Sequence, residues 1–223
     1  MTGITYRSAS EINSAMLGVY NNMFLAVANS MIVSLLVASS PALMQFLFTG
    51  AMKWIVMFAP LVFILLLSFG MEKMTRGQAQ LALHSFAAIM GMSFATIFVV
   101  FNIGSIVGAF MAAAVLFATM SLYGYFTKQS LDSLGKWMFV GLIAIIVASI
   151  INIFIGSSVA QMVISTLAVI IFLGLTAYDT QKIRELVSVD HNGNTEVVGA
   201  LTLYLDFINL FLNLLQLFGG RKE

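Results

Sequence analysis

Seven separate stretches of this chain, at 18–39, 54–71, 81–101, 105–126, 137–155, 159–178 and 198–218, are made almost wholly of apolar residues. At roughly 20 residues each, they are long enough to cross a hydrocarbon core about 30 Å thick as helices. Lipid offers no partner to an open N–H or C=O group, so a spanning segment is either a helix or a strand of a closed barrel. A barrel would show alternating segments of roughly ten residues, and the chain has no such alternation. The expectation is an all-α integral membrane protein with seven transmembrane helices, one domain over residues 1–223 and the lipid bilayer as its first partner. Composition agrees: 61% of residues are hydrophobic and 9% charged, against roughly 45–50% and about 25% in a soluble domain.

The first stretch is too long for the apolar region of a signal peptide and lacks a basic start, so it reads as a retained helix behind a short N-terminal segment at 1–17. The connections "FNIGS" (101–105) and "FIGSS" (154–158) are short and predict tight antiparallel hairpins between spans 3 and 4 and between spans 5 and 6. In span 4, Gly104, Gly108 and Ala112 form a ridge of small residues that predicts a close helix approach.

Several chemistries are excluded at this level. A net charge of +1 offers no basic face to nucleic acid, and the absence of cysteine removes disulfides, thiolate metal sites and a Cys nucleophile. His84 and His191, the only histidines, lie on different segments and do not predict a zinc site. The fifteen methionines are scattered and read as packing residues. Span 7 has no lysine for a retinal Schiff base. No cofactor is expected.

Orientation follows from the basic residues. Arg7, Lys73, Arg76, Lys128, Lys136, Lys182 and Arg184 fall on the side of the N-terminus, and Lys53, Arg221 and Lys222 on the other. The excess places the N-terminus in the cytoplasm and the C-terminus outside. A re-entrant last segment would return Arg221 and Lys222 to the cytoplasmic side, and the charge distribution is compatible with that alternative too.

Span 7 carries the chemistry. Thr202, Asp206, Asn209, Asn213 and Gln216 recur at spacings of four and three, so all five project from one face of a helix whose other faces are Leu, Phe and Ile. Such a stripe is expected to face the bundle interior or a water-filled cavity. Amides alone would serve as glue between helices. A carboxylate, at roughly 2.5–3.5 kcal/mol of insertion penalty, asks for a function.

A partner for Asp206 is available. Span 6 ends "LGLTAYDTQKIRELV", and a turn is expected in "DHNGN" (190–194). In an antiparallel hairpin centred between Asn192 and Gly193, residues 179 and 206 lie level, so the side chains of Asp179 and Asp206 meet if their faces agree. Two close carboxylates do not both ionise cheaply, so the pair would share a proton and act as a proton-sensitive gate or a cation site. The plainer alternative for Asp179 is an interfacial carboxylate paired with Lys182 or Gln181.

Three segments carry a family resemblance: "MSLYGYFTKQSLDSLG" (120–135), "AYDTQKI" (177–183) and "ALTLYLDFINLFLNLLQLFG" (200–219). With them the chain resembles the Bax inhibitor family, the transmembrane Bax inhibitor motif proteins, and within it the bacterial inner-membrane branch. The resemblance implies seven helices, six surrounding a central C-terminal helix, and a pH-sensitive calcium leak controlled by a di-aspartyl pair that maps onto Asp179 and Asp206. Calcium enters as the permeant ion, held transiently by those carboxylates. The resemblance further implies a basic latch near the end of the second helix, for which Lys73 and Arg76 are the candidates, with Glu72 beside them. Thr202, Asn209, Asn213 and Gln216 would line the route, the amides of Asn209 and Asn213 adding hard oxygen ligands for calcium.

Paired aspartates on late helices also suggest an intramembrane aspartyl protease. The Gly-x-Gly-Asp motif of those enzymes is missing, since Leu203 and Leu205 occupy the glycine positions, and the "PAL" at Pro41 to Leu43 precedes span 2. No enzyme is expected. The alternative to the leak is a non-transporting interaction protein that modulates a membrane protease or quality control through a membrane-protein partner.

Overall fold

The computed structural model describes residues 7–70, 74–190 and 193–222. Among them every regular element is a helix: α1 (Ala9–Ala38), α2 (Pro41–Phe48), α3 (Met52–Gly70), α4 (Arg76–Phe94), α5 (Ile97–Val100), α6 (Ile103–Phe126), α7 (Asp132–Ile155), α8 (Ser158–Val189) and α9 (Asn194–Phe218). Six spans are long and apolar enough to cross a membrane: α1, the stretch Arg76–Val100, α6, α7, α8 and α9. Among the described residues a seventh is reached when α2 and α3, bent by 78° at their break, are counted as one. Helix α3 covers the span expected at 54–71, and the bend lies before it, between α2 and α3. The cause is local: Ser40 caps α2 with Pro41 in its first turn, and Gly50 adopts a φ of 57° in the break.

Helix boundaries follow capping chemistry. Ser8 accepts from the Glu11 N–H while the Glu11 carboxylate accepts from the Ser8 N–H, and Thr75 and Gln78 repeat this capping box at the start of α4. Gly156, at a φ of 69°, closes α7. The 154–158 connection forms the expected hairpin, with Asn152 of α7 donating to Gln161 of α8, and α5 ends at Val100 three residues before α6 begins. The last two helices reach beyond the apolar stretches, α8 to Val189 and α9 from Asn194, with Gly193 at a φ of 75° between them.

The chain forms two compact units. The first contains residues up to Phe101, with Leu186–Tyr204 and the last residues. Within it α1 packs along α4, and α3 along α4 and α2. The close approach is at Gly91, where a Cβ would strike the Ser30 carbonyl oxygen. The Ser30 hydroxyl bonds the Ala87 carbonyl at 2.8 Å and the Tyr204 hydroxyl at 2.7 Å, and the Tyr204 ring stands edge-on to Phe86 at 5.9 Å. A polar side chain at a helix crossing is thus fully bonded.

The second unit contains Asn102–Glu185 and Leu205–Arg221. Its α6 packs through Ala109, Ala113, Phe117, Ser121 and Gly124, all buried. The expected Gly104, Gly108, Ala112 ridge does not pack in this way: all three residues are exposed, and a Cβ on either glycine would meet open space. Small residues do recur on α6 at that spacing, but the rotation of the helix presents a different face, that of Ala109, Ala113 and Gly124. Large apolar side chains such as Phe154, 86% exposed, and Ile153, 77% exposed, point outward from α7 as a lipid-facing surface requires.

Candidate functional site

Helix α9 is apolar enough to span, yet 67% of its most apolar stretch is buried, against 6–39% in the other spans. Leu203, Tyr204, Leu210 and Leu215 are all at most 1% exposed. The polar stripe is the less covered side: Thr202, Asn209, Asn213 and Gln216 are half-buried, and Asp206 alone among the five is buried, at 4% exposure. The amide N–H groups of Asn209 and Asn213 donate to the carbonyls of Leu205 and Asn209, each at 2.8 Å. Their amide oxygens are therefore turned away from their own helix turn.

In the second unit the carboxyl groups of Asp179 and Asp206 come within hydrogen-bonding reach of each other. Two carboxyl groups share a hydrogen bond only if one of them carries a proton. The other oxygen of Asp206, Oδ2, is buried without a hydrogen-bond partner. A buried acceptor in that condition costs about 1–3 kcal/mol, more if charged. A proton shared between the two carboxyl groups removes one of the two buried charges.

The plainer partners for Asp179 are engaged elsewhere. Lys182 pairs with Glu185 at 3.1 Å on the surface. The Gln181 side chain donates to the Gln129 carbonyl at 2.9 Å and accepts from the Leu131 N–H at 2.8 Å.

The turn of α8 around Asp179 is clamped by its neighbours. A Cβ on Gly124 of α6 would overlap the Ala177 carbonyl oxygen, and one on Gly135 of α7 would strike the Tyr178 ring. Buried Thr180 bonds Ser121 at 3.0 Å, and Arg184 donates to the Tyr125 carbonyl at 2.9 Å with its guanidinium 4.8 Å from the Tyr125 ring centre. On α9, the residue after Asp206 is fixed as firmly: Phe207 meets Phe110 at 5.3 Å and Phe117 at 5.7 Å, both edge-on. None of these supports has a signature of its own in the sequence, although six of them, Ser121, Gly124, Tyr125, Gln129, Leu131 and Gly135, fall within "MSLYGYFTKQSLDSLG".

A family model described as "Inhibitor of apoptosis-promoting Bax1", of the Bax inhibitor family, matches residues 12–223. The chain belongs to the Bax inhibitor family. Among similar family members, the inner membrane protein YbhL of Escherichia coli is 37% identical over 218 residues, 95% of this chain and 93% of YbhL. The Rickettsia prowazekii protein RP147 is 35% identical over 212 residues, 93% of this chain and 90% of its own. A Caulobacter vibrioides protein is 34% identical over 223 residues. The apolar helices, together with the inner-membrane relative, support a multi-pass inner membrane protein.

Of the two latch candidates, Lys73 lies outside the described residues. Arg76 opens α4 and in the first unit pairs with Glu196 of α9 at 2.6 Å. Glu196 was not singled out by sequence; an acidic residue in the first turn of a helix reads simply as complementing its dipole. Among the described residues no group of three or more His, Cys, Asp or Glu side chains is placed to hold a metal ion.

Proposed function

We propose that this member of the Bax inhibitor family is a pH-sensitive calcium, or more broadly cation, leak channel gated by the pair Asp179 and Asp206. The observation that carries the reading is the meeting of two carboxyl groups between helices α8 and α9, one of them buried with an unpartnered oxygen. Two unit negative charges 4 Å apart repel by about 4 kcal/mol at an effective dielectric of 20. One shared proton relieves that repulsion, and so does a passing divalent cation. Proton loss then changes the charge of the pair by one unit, altering both helix spacing and affinity for calcium.

The route follows the half-buried face of α9 past Thr202, Asn209, Asn213 and Gln216. The turned-out amide oxygens of Asn209 and Asn213 are hard donors suited to a partly dehydrated calcium ion. In this reading the bent pair α2 and α3 completes seven spans, and α9, the most buried, stands at their centre. The N-terminus lies in the cytoplasm and the C-terminus outside, by the excess of basic residues on the N-terminal side. Arg76 is held by Glu196, which leaves Lys73 as the latch candidate.

The test is calcium entry into dye-loaded proteoliposomes from pH 5 to 8, for wild type, Asp179→Asn and Asp206→Asn. Flux that varies with pH in wild type and loses that dependence in either variant supports the gate. Folded protein that passes no calcium at any pH removes the leak reading. The family description "Inhibitor of apoptosis-promoting Bax1" then favours the second reading, a non-transporting partner of another membrane protein.

A further inference from the structure

A second feature of the same unit is unrelated to the aspartates. At the end of the molecule formed by the α7–α8 hairpin and the C-terminal end of α9 lies a cavity of about 560 Å³. Its polar lining is Asn152, Ser157, Ser158, Gln161, Gln216 and Arg221. Ile153, Met162 and Leu217 also line it.

The walls are preformed by hydrogen bonds. Asn152, 7% exposed, accepts from the Ser157 N–H at 3.1 Å and donates to the Ser157 carbonyl at 3.2 Å and to Gln161 Oε1 at 3.4 Å. Gln161 in turn donates to buried Ser165 at 3.2 Å. The C-terminal segment is tied down as well: the Gly220 N–H donates to Ser105 Oγ at 2.9 Å, the Asn102 N–H to the Gly220 carbonyl at 3.0 Å, and Asn102 Nδ2 to the Arg221 carbonyl at 3.4 Å. Arg221 is therefore held at the cavity.

The chemistry of the lining is one-sided. Arg221 is its only charged group, and no carboxylate among the described residues lines the cavity. Neither the Arg221 guanidinium nor the Gln216 amide has a hydrogen-bond partner among the described residues, whereas Asn152 and Gln161 are spent on the walls. A cation at this rim attracts an anion. Beside the polar lining stand side chains that only an apolar phase would cover, Ile153 at 77% exposure and Met162 at 57%.

We infer that this cavity binds the phosphate headgroup of an anionic phospholipid, with Arg221 and Gln216 donating to the phosphate oxygens and the acyl chains lying against Ile153 and Met162. The shape asks for an amphiphile because polar and apolar linings meet at the mouth, on helices whose outer surfaces face lipid. A guanidinium fits phosphate oxygens by paired hydrogen bonds.

The experiment is native mass spectrometry of the full chain, stripped gradually of lipid after purification with phosphatidylglycerol or phosphatidylcholine. Wild type is expected to retain one phosphatidylglycerol, and not phosphatidylcholine, after other lipid has been removed. Loss of a charge-assisted hydrogen bond predicts about ten-fold weaker retention in Arg221→Gln, a smaller loss in Gln216→Leu, and none in Lys53→Gln. Equal retention by wild type and Arg221→Gln would overturn the site. So would equal loss in Lys53→Gln, which would mean attraction by surface charge in general. Complete displacement by millimolar inorganic phosphate would show a free-anion site and overturn the lipid assignment.

Discussion

Arg76 Nη2 lies 2.6 Å from Glu196 Oε2, and two glycines make room for the pair. A Cβ on Gly18 of α1 would come within 2.6 Å of the Glu196 carboxylate, and one on Gly193 within 3.2 Å of Arg76. The two ends differ in their access to water: the Arg76 side chain is 51% exposed and that of Glu196 11%. Removing one partner therefore has unequal consequences. Freed by Glu196→Gln, Arg76 turns to solvent, for a loss near 1 kcal/mol. Freed by Arg76→Gln, Glu196 stays covered and uncompensated, for a loss of about 2–3 kcal/mol. Thermal unfolding in detergent is expected to show the larger drop in midpoint for Arg76→Gln; equal drops would mean that Glu196 reaches water.

The two kinds of glycine on α6 predict opposite results. Gly124→Ala drives a methyl group into the Ala177 carbonyl, pushing α6 from the turn that carries Asp179, at a cost of about 1–3 kcal/mol. Gly108→Ala meets open space and is expected to change stability by no more than about 0.5 kcal/mol. Melting curves of both variants check this, and Gly124→Ala should also blunt the pH response of calcium flux.

The hydroxyl of Tyr204 is fully buried on Ser30, whose hydroxyl also reaches the Ala87 and Ala26 carbonyls. Tyr204→Phe removes one hydrogen bond and leaves Ser30 satisfied, so a loss of about 1 kcal/mol is expected. Ser30→Ala strands the Tyr204 hydroxyl and is expected to cost more. Comparing the unfolding midpoints of the two variants tests which partner depends on the other.

Asp206→Asn replaces a buried carboxyl by a neutral group of nearly the same shape that keeps a donor for Asp179. Its expected stability at pH 8 equals or exceeds that of wild type, while the pH dependence of flux disappears. A strongly destabilised Asp206→Asn would mean that the carboxylate is a structural hub and that its loss of flux says nothing about gating.

Because the chain has no cysteine, single substitutions report topology directly. A membrane-impermeant thiol reagent added outside intact spheroplasts is expected to label Lys53→Cys and to leave Lys128→Cys unreacted until the cells are opened. The reverse pattern would invert the proposed orientation.

What the sequence determined is what depends on local period and length. Apolar stretches near 20 residues specified membrane helices, and the spacing of four and three from Thr202 to Gln216 specified one polar face of α9. The turn between Asp190 and Asn194 made residues 179 and 206 level, which was enough to bring their carboxyl groups together in expectation. Tertiary structure decided which face of each helix turns to which neighbour, because axial rotation leaves no trace in a uniformly apolar sequence. That is why Gly104 and Gly108 looked like the contact of α6 when Gly124 supplies it, why Gln181 braces the α6–α7 connection instead of pairing with Asp179, and why Arg76 belongs to Glu196, 120 residues away. Glycine contacts and ion pairs form where backbones cross, and crossings are set by packing of whole helices, a balance summed over many side chains that no single stretch of sequence contains.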